Sequence, residues 1–89
     1  MISLSIIVPI VNEQQIIDRF LAHLMGLEQI EKAEIIVVDG GSTDDSVDIV
    51  RRHPVTLIET SRGRARQMNA GALQARGERL LFVHADSRL

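Results

Sequence analysis

Cysteine, tryptophan and tyrosine are all absent from this 89-residue chain. Without cysteine there is no disulfide framework and no thiolate metal site, which suits a cytoplasmic setting. Aromatic residues make up only 2% of the chain. That disfavours a stacking platform for single-stranded nucleic acid or a carbohydrate module built on rings. Charge of one sign is lacking too: ten basic and twelve acidic side chains leave a formal net charge of −2. Such a balance gives no general attraction to nucleic acid or to an anionic membrane surface. No apolar run is long enough to cross a bilayer. The apolar start reaches only to Pro9 and has no basic opening, so it does not read as a signal peptide, and nothing in this segment indicates membrane association.

What is present is a core-forming composition, 45% hydrophobic, whose pattern changes period along the chain. Residues 4–8 form a short apolar run stopped by Pro9, which reads as a buried strand. From residue 13 to about 27, Ile16, Ile17, Phe20, Leu21, Leu24 and Met25 recur in steps that place one stripe on a helix, with Gly26 to end it. Residues 33–38 predict a second strand, halted by Asp39-Gly40-Gly41. Ser42-Thr43-Asp44-Asp45 then offers a hydroxyl cap and two carboxylates to a second helix running to about residue 52. Residues 55–59 predict a third strand. Ser61-Arg62-Gly63 opens a third helix with Ala65, Met68, Ala72 and Ala75 on one face, ended by Gly77, and residues 80–83 predict a fourth strand. Strands alternating with helices imply an α/β fold, a Rossmann-like parallel sheet with helices on both faces. The fourth strand is as apolar as an interior one, yet six residues follow it. An uncovered apolar edge is an aggregation hazard, so the expectation is a truncated domain.

In such a sheet, ligands bind beyond the carboxyl ends of the strands, where strand order reverses. The polar residues gather there. If the first three strands wind one way and the fourth returns beside the first, the crevice lies between Glu13 and Asp86, with Asp39 nearby. Asp39 is either a turn residue before two glycines or an acceptor for a base or ribose. Glu13 is either a first-turn acid favoured by the helix dipole or part of the site. Asp44 and Asp45 read as capping residues. Arg62, Arg64 and Arg66 are either a solvated patch or, with the helix amino end, a diphosphate cradle. Asn69 bonds within the core or faces the crevice, and Gly71 signals close packing in a helix it would otherwise weaken. His84 and Asp86 either bond neighbouring backbone or hold a divalent metal. His23 and His53 read as surface residues. No Gly-x-Gly-x-x-Gly follows the first strand, and there is no Walker-type loop and no Gly-x-Ser-x-Gly elbow.

Val8-Pro9-Ile10-Val11-Asn12-Glu13 resembles the opening motif of family 2 glycosyltransferases, and residues 36–44 resemble their second-strand motif. Gln67-Met68-Asn69-Ala70-Gly71, then Ala75-Arg76-Gly77-Glu78, is similar to the helix leading to their metal-binding strand, and His84-Ala85-Asp86 falls at their Asp-x-Asp position. The pieces occur in the family's order over essentially the whole chain. The stretch 63–71 with His84-Ala85-Asp86 resembles a bacterial subgroup.

The resemblance implies a GT-A fold, with residues 1–89 as the N-terminal nucleotide-sugar-binding part. It further implies transfer of a sugar from a nucleotide diphosphate donor, commonly a UDP-sugar, with inversion, to an acceptor the sequence does not name. Asp39 would contact the base; Pro9, Val11 and Glu13 would line the nucleoside pocket; Arg64, Arg66, Asn69 and Ala85 would complete the donor site. Asp86, with His84 where the family has Asp, would bind Mn²⁺ or Mg²⁺, and imidazole suits Mn²⁺ better. The catalytic base would lie downstream, which predicts that this segment alone is inactive. Two other readings are a non-catalytic nucleotide-binding module or degenerate remnant, and a nucleotidyltransferase. The last would need a glycine-rich basic loop after the first strand, which residues 9–13 are not.

Overall fold

The computed structural model describes residues 2–27 and 30–85. Strand β1 (Leu4–Ile10) is buried at Ser5 to Val8 and at Ile10, as a strand covered on both faces must be. Helix α1 (Ile17–Met25) starts four residues after the expected position, because Gln14 to Ile16 form a turn before it. It turns Ile17, Phe20, Leu21 and Leu24 inward and ends at Gly26, while Met25 lies outside the stripe at 37% exposure. A 3-10 turn (Ile30–Lys32) leads into β2 (Ala33–Asp39), then α2 (Ser46–Val50), β3 (Thr56–Glu59), α3 (Arg64–Gln74) and β4 (Arg79–Phe82).

All pairings are parallel, in the order β3-β2-β1-β4. The chain winds outward from β1 through β3 and then returns to the opposite side of β1, so strand order reverses between β1 and β4. Helices cover both faces. Ile6, Val8 and Ile10 of β1 join Ile35 and Val37 of β2 in one core beneath α1 and Val50 of α2. Ile7, Ile36 and Val38 point the other way, against Ala70, Ala72 and Ala75 at α3. No helix among the described residues is long and apolar enough to cross a membrane.

The buried face of α3 is not the stripe that apolar periodicity suggests. Gln67 and Gly71, one turn apart, are its buried residues, while Ala65 is exposed and Met68 only partly buried. Helix and sheet approach too closely for large side chains: a Cβ at Gly71 would sit 2.5 Å from Ile7 Cγ2 and 3.1 Å from Val38 Cγ2. In α2 the first turn also differs from expectation. Asp45 occupies the cap position without a side-chain bond, and Ser42 is engaged elsewhere. Asp44 does the work instead, its Oδ1 accepting from the Ser46 amide at 2.9 Å and the Ser46 hydroxyl at 2.6 Å. His53 is not a free surface residue: its imidazole retains only 14% exposure, and Nε2 donates to Asp18 Oδ1 at 2.8 Å, tying α2 to α1.

The α3–β4 connection is pinned through one carboxylate. Ser5 Oγ donates to Glu34 Oε2 at 2.6 Å, the Arg76 amide donates to the same oxygen, and Gly77 N donates to Ser5 Oγ at 2.8 Å. Burial by itself would raise the Glu34 carboxyl, but the Ser5 and Arg76 hydrogen bonds and the Arg76 charge outweigh it and hold the group below its ordinary value. Asp44 is likewise lowered: desolvation opposes ionisation there, and donors from Ser46 and Gln14 overcome it. A folded-state value below the unfolded one gives stability that is full above the ordinary carboxylate range. It is lost as pH falls through the depressed value, because the unfolded chain takes up the proton first. Unfolding followed by circular dichroism between pH 6 and pH 2 (roughly the window where carboxylates titrate) is expected to show falling stability in acid. Glu34→Gln should flatten that limb without removing it, since Asp44 acts with the same sign.

Candidate functional site

At the carboxyl end of β1 the chain turns through Asn12, a non-glycine residue at φ 54°. Asparagine tolerates this left-handed geometry better than most residues. The turn aims its side chain across at the loop after β2. Asn12 Oδ1 accepts from the Thr43 amide at 2.8 Å and the Asp44 amide at 3.3 Å, while the Asn12 amide donates to Ser42 Oγ at 2.8 Å. Further along, the Glu13 amide donates to Ser46 Oγ at 2.8 Å and the Asp45 amide donates to Gln14 Oε1 at 2.9 Å. The two loops are thereby zipped together by side-chain-to-backbone bonds that replace the ladder where the strands end.

Asp39 is the last residue of β2 and only 3% exposed. Its Oδ2 accepts from the Gly41 and Ser42 amides, each at 3.0 Å, and its Oδ1 accepts from the Ser42 hydroxyl. The turn reading of Asp39 therefore describes its local geometry. Ser42 links the two systems, since its oxygen donates to Asp39 and accepts from Asn12.

Beyond the switch point between β1 and β4 lies a cleft of about 220 Å³. Pro9, Val11 and Glu13 line it from β1 and its loop; Arg62, Arg64 and Gln67 line it from the start of α3; His84 lines it from beyond β4. Two arginines and a helix amino end thus share one cleft with Glu13 and His84. That lining offers cationic donors to an anionic ligand. A larger cavity of about 480 Å³ opens at the opposite, amino ends of the strands. Its charged lining is Glu34 and Arg76, which already satisfy each other at 3.4 Å.

The remaining expected residues are distributed differently. Arg66 turns back to donate to Ser61 Oγ at 3.1 Å. Asn69 is exposed on α3, which removes the core reading of that residue. Ala85 is 7% exposed and packs in the core under α1. Asp86 lies outside the described residues. Reading by spacing missed Asn12, Ser42 and Gln67 as organisers of the site. A signal for Gln67 was present: glycines at Gly40 and Gly71 mark close approach of backbone to a neighbour.

The reversed strand order, with polar residues over the strands' carboxyl ends, describes a doubly wound α/β sheet, and its match to solved glycosyltransferases gives it the GT-A fold. The family model described as glycosyl transferase family 2 matches residues 5–89, and the chain belongs to that family. It is 30% identical over 90 residues to the poly-beta-1,6-N-acetyl-D-glucosamine synthase of Staphylococcus epidermidis, covering 94% of this chain and 22% of that protein. The mannosyltransferase PcManGT from Pyrobaculum calidifontis, solved in complex with GDP-Man and Mn²⁺, matches with a TM-score of 0.87 at 35% identity, covering 93% of this chain and 27% of that one. S. aureus TarS 1–349 in complex with UDP matches with a TM-score of 0.84 at 30% identity, covering 96% and 28%. The chain therefore spans between 22% and 28% of the length of these three proteins.

Proposed function

We propose that this chain is the donor-binding part of a glycosyltransferase that takes a sugar from a nucleoside diphosphate, with inversion, and that UDP is the nucleotide. The observation that carries the reading is the cleft at the β1–β4 switch point, lined together by Arg62 and Arg64 beside the start of α3 and by Glu13 and His84. In this reading Pro9 and Val11 pack against the nucleoside, Asp39 orients the base from the end of β2, and the arginines hold the diphosphate. UDP, UDP-GlcNAc and GDP-Man are donors or nucleotides held by solved relatives, which supports the ligand class. The stretch 63–71 with His84-Ala85-Asp86 favours the bacterial subgroup that carries those residues.

His84, which lines the cleft, and Asp86 are the proposed metal ligands, and Glu13 lines the nucleoside pocket with Pro9 and Val11 in this reading. A cation shared with a diphosphate draws most of its oxygens from phosphate and water, so one or two protein donors suffice. An imidazole donor favours Mn²⁺ over Mg²⁺. When bound, such an ion would supply positive charge against the leaving diphosphate. The chain's own residues bind and orient the donor, and the acceptor and its base belong to no residue assigned here.

The test is calorimetric titration with UDP and with GDP, with and without Mn²⁺, on protein shown to be folded by circular dichroism. UDP binding strengthened by Mn²⁺, and weakened by Asp39→Asn and by Asp86→Ala, is the expected result. Folded protein that ignores both nucleotides in the presence of Mn²⁺ would sink the reading.

A further inference from the structure

Gln67 is a full-length polar side chain only 4% exposed, held in the tight seam between α3 and the sheet. Its Nε2 donates to Ile10 O and to Val38 O, both at 2.9 Å. Ile10 O also accepts from the Gly40 amide at 3.0 Å, so the carboxamide sits on the last rung joining β1 to β2. On its other side, Oε1 accepts a long bond from the Gly63 amide at 3.4 Å, at the amino end of α3. The orientation of the amide follows from its partners: the reverse would set an oxygen against two carbonyls.

Gly40 is shaped to this group. A Cβ there would lie 2.6 Å from Gln67 Oε1, 2.7 Å from Cδ and 2.9 Å from Nε2. A side chain at Gly40 would therefore push the Gln67 carboxamide off the position its hydrogen bonds hold. No other residue type supplies two N–H donors and an acceptor at this reach without charge: Glu has no donor when ionised, Lys no acceptor, and Met no donor and only a weakly accepting sulfur.

We propose that Gln67 is a positioning residue. It fixes the Asp39–Gly40–Gly41 loop and the amino end of α3 to the same rung, and so sets the separation between that loop and the arginine-bearing side of the cleft, which Gln67 itself lines. The consequence for nucleotide rests on the donor-site reading above, whereas the positioning itself does not.

Two measurements test it separately. Amide hydrogen exchange on the unliganded chain, comparing wild type with Gln67→Met, is expected to speed about tenfold or more at Gly40, Gly41 and Ser42, the scale of one or two hydrogen bonds. Exchange in the middle of β1 should stay as it was. Unchanged exchange in the loop, or an equal rise throughout the sheet, would overturn the positioning role. In the second measurement, UDP affinity in the presence of Mn²⁺ is expected to fall about tenfold or more in Gln67→Met and in Gln67→Glu. The double variant Gly40→Ala with Gln67→Ala should regain much of the stability lost by Gly40→Ala alone, because the clash is gone, while its UDP affinity stays low. Recovery of both together would reduce Gln67 to a packing residue. Wild type that binds neither UDP nor GDP would count against the donor site, leaving the exchange result to decide the positioning.

Discussion

Asp39→Ala is expected to lower the unfolding free energy by about 2–4 kcal/mol and to remove measurable UDP binding. The carboxylate is buried and accepts three hydrogen bonds, from the Gly41 amide, the Ser42 amide and the Ser42 hydroxyl. Alanine leaves those donors without a charged acceptor at a site where water enters poorly. Hydrogen bonds to charged groups contribute about 1.5–3 kcal/mol each, and their losses within one turn are not additive. The damage should spread, because Ser42 also receives the Asn12 amide and so couples the β2 loop to the β1 loop. Asp39→Asn keeps one oxygen but turns an NH₂ toward a donor, and should fall between alanine and wild type. Urea unfolding and calorimetry on the same preparations check both halves. Loss of binding without loss of stability would mean that the carboxylate acts on the ligand alone and that the turn stands without it.

Leu21→Ala should cost about 3–5 kcal/mol. Leu21 is fully buried on α1, in the core formed with Ile6, Val8, Ile35 and Val37. Truncation removes both the transfer free energy and the packing of a cavity that β-branched neighbours cannot collapse to fill. A domain of this size has a total stability of order 5–10 kcal/mol, so the variant should be substantially unfolded in mild urea. Leu73→Ala provides the internal control. Leu73 lies on the outer side of α3 at 86% exposure, and its loss should change stability by no more than about 0.5 kcal/mol. If the two variants unfold at the same urea concentration, α1 does not pack as described.

The layered α/β arrangement was legible because its signal is strong and repeated. Continuous β-branched runs mark β1 and β2, though β1 continues through the expected stop at Pro9 to Ile10, paired there with β2, and the wide apolar stripe of α1 marks a helix packed on one face. A cleft does lie past the strand ends between Glu13 and His84, where topology puts ligands, but Asp39 does not line it and Asp86 lies outside the described residues. The face of α3 was not legible. That helix is held by a glycine and a glutamine, and a search for apolar periodicity is blind to a seam closed by close approach and a buried amide. The role of Ser42 was hidden for a related reason. A serine before a helix reads as a cap, but here Asp39 precedes it by three residues and competes successfully for its hydroxyl. Asn12 took its importance from a left-handed turn that sequence spacing does not encode.

Placing β1 at the centre of the sheet has a further result for how the chain is made. Leu4 pairs with Ala33 on one side and with Arg79 on the other, partners 29 and 75 residues later. At roughly 5–20 residues per second, the β4 edge arrives some 4–15 s after β1 has been synthesised. Ile6 and Ile7, buried in the sheet and paired there with Leu81 and Phe82, wait through that interval with one flank unpaired. Of the two inner strands among the described residues, β1, which lines the cleft, thus waits longer than β2 for its second neighbour.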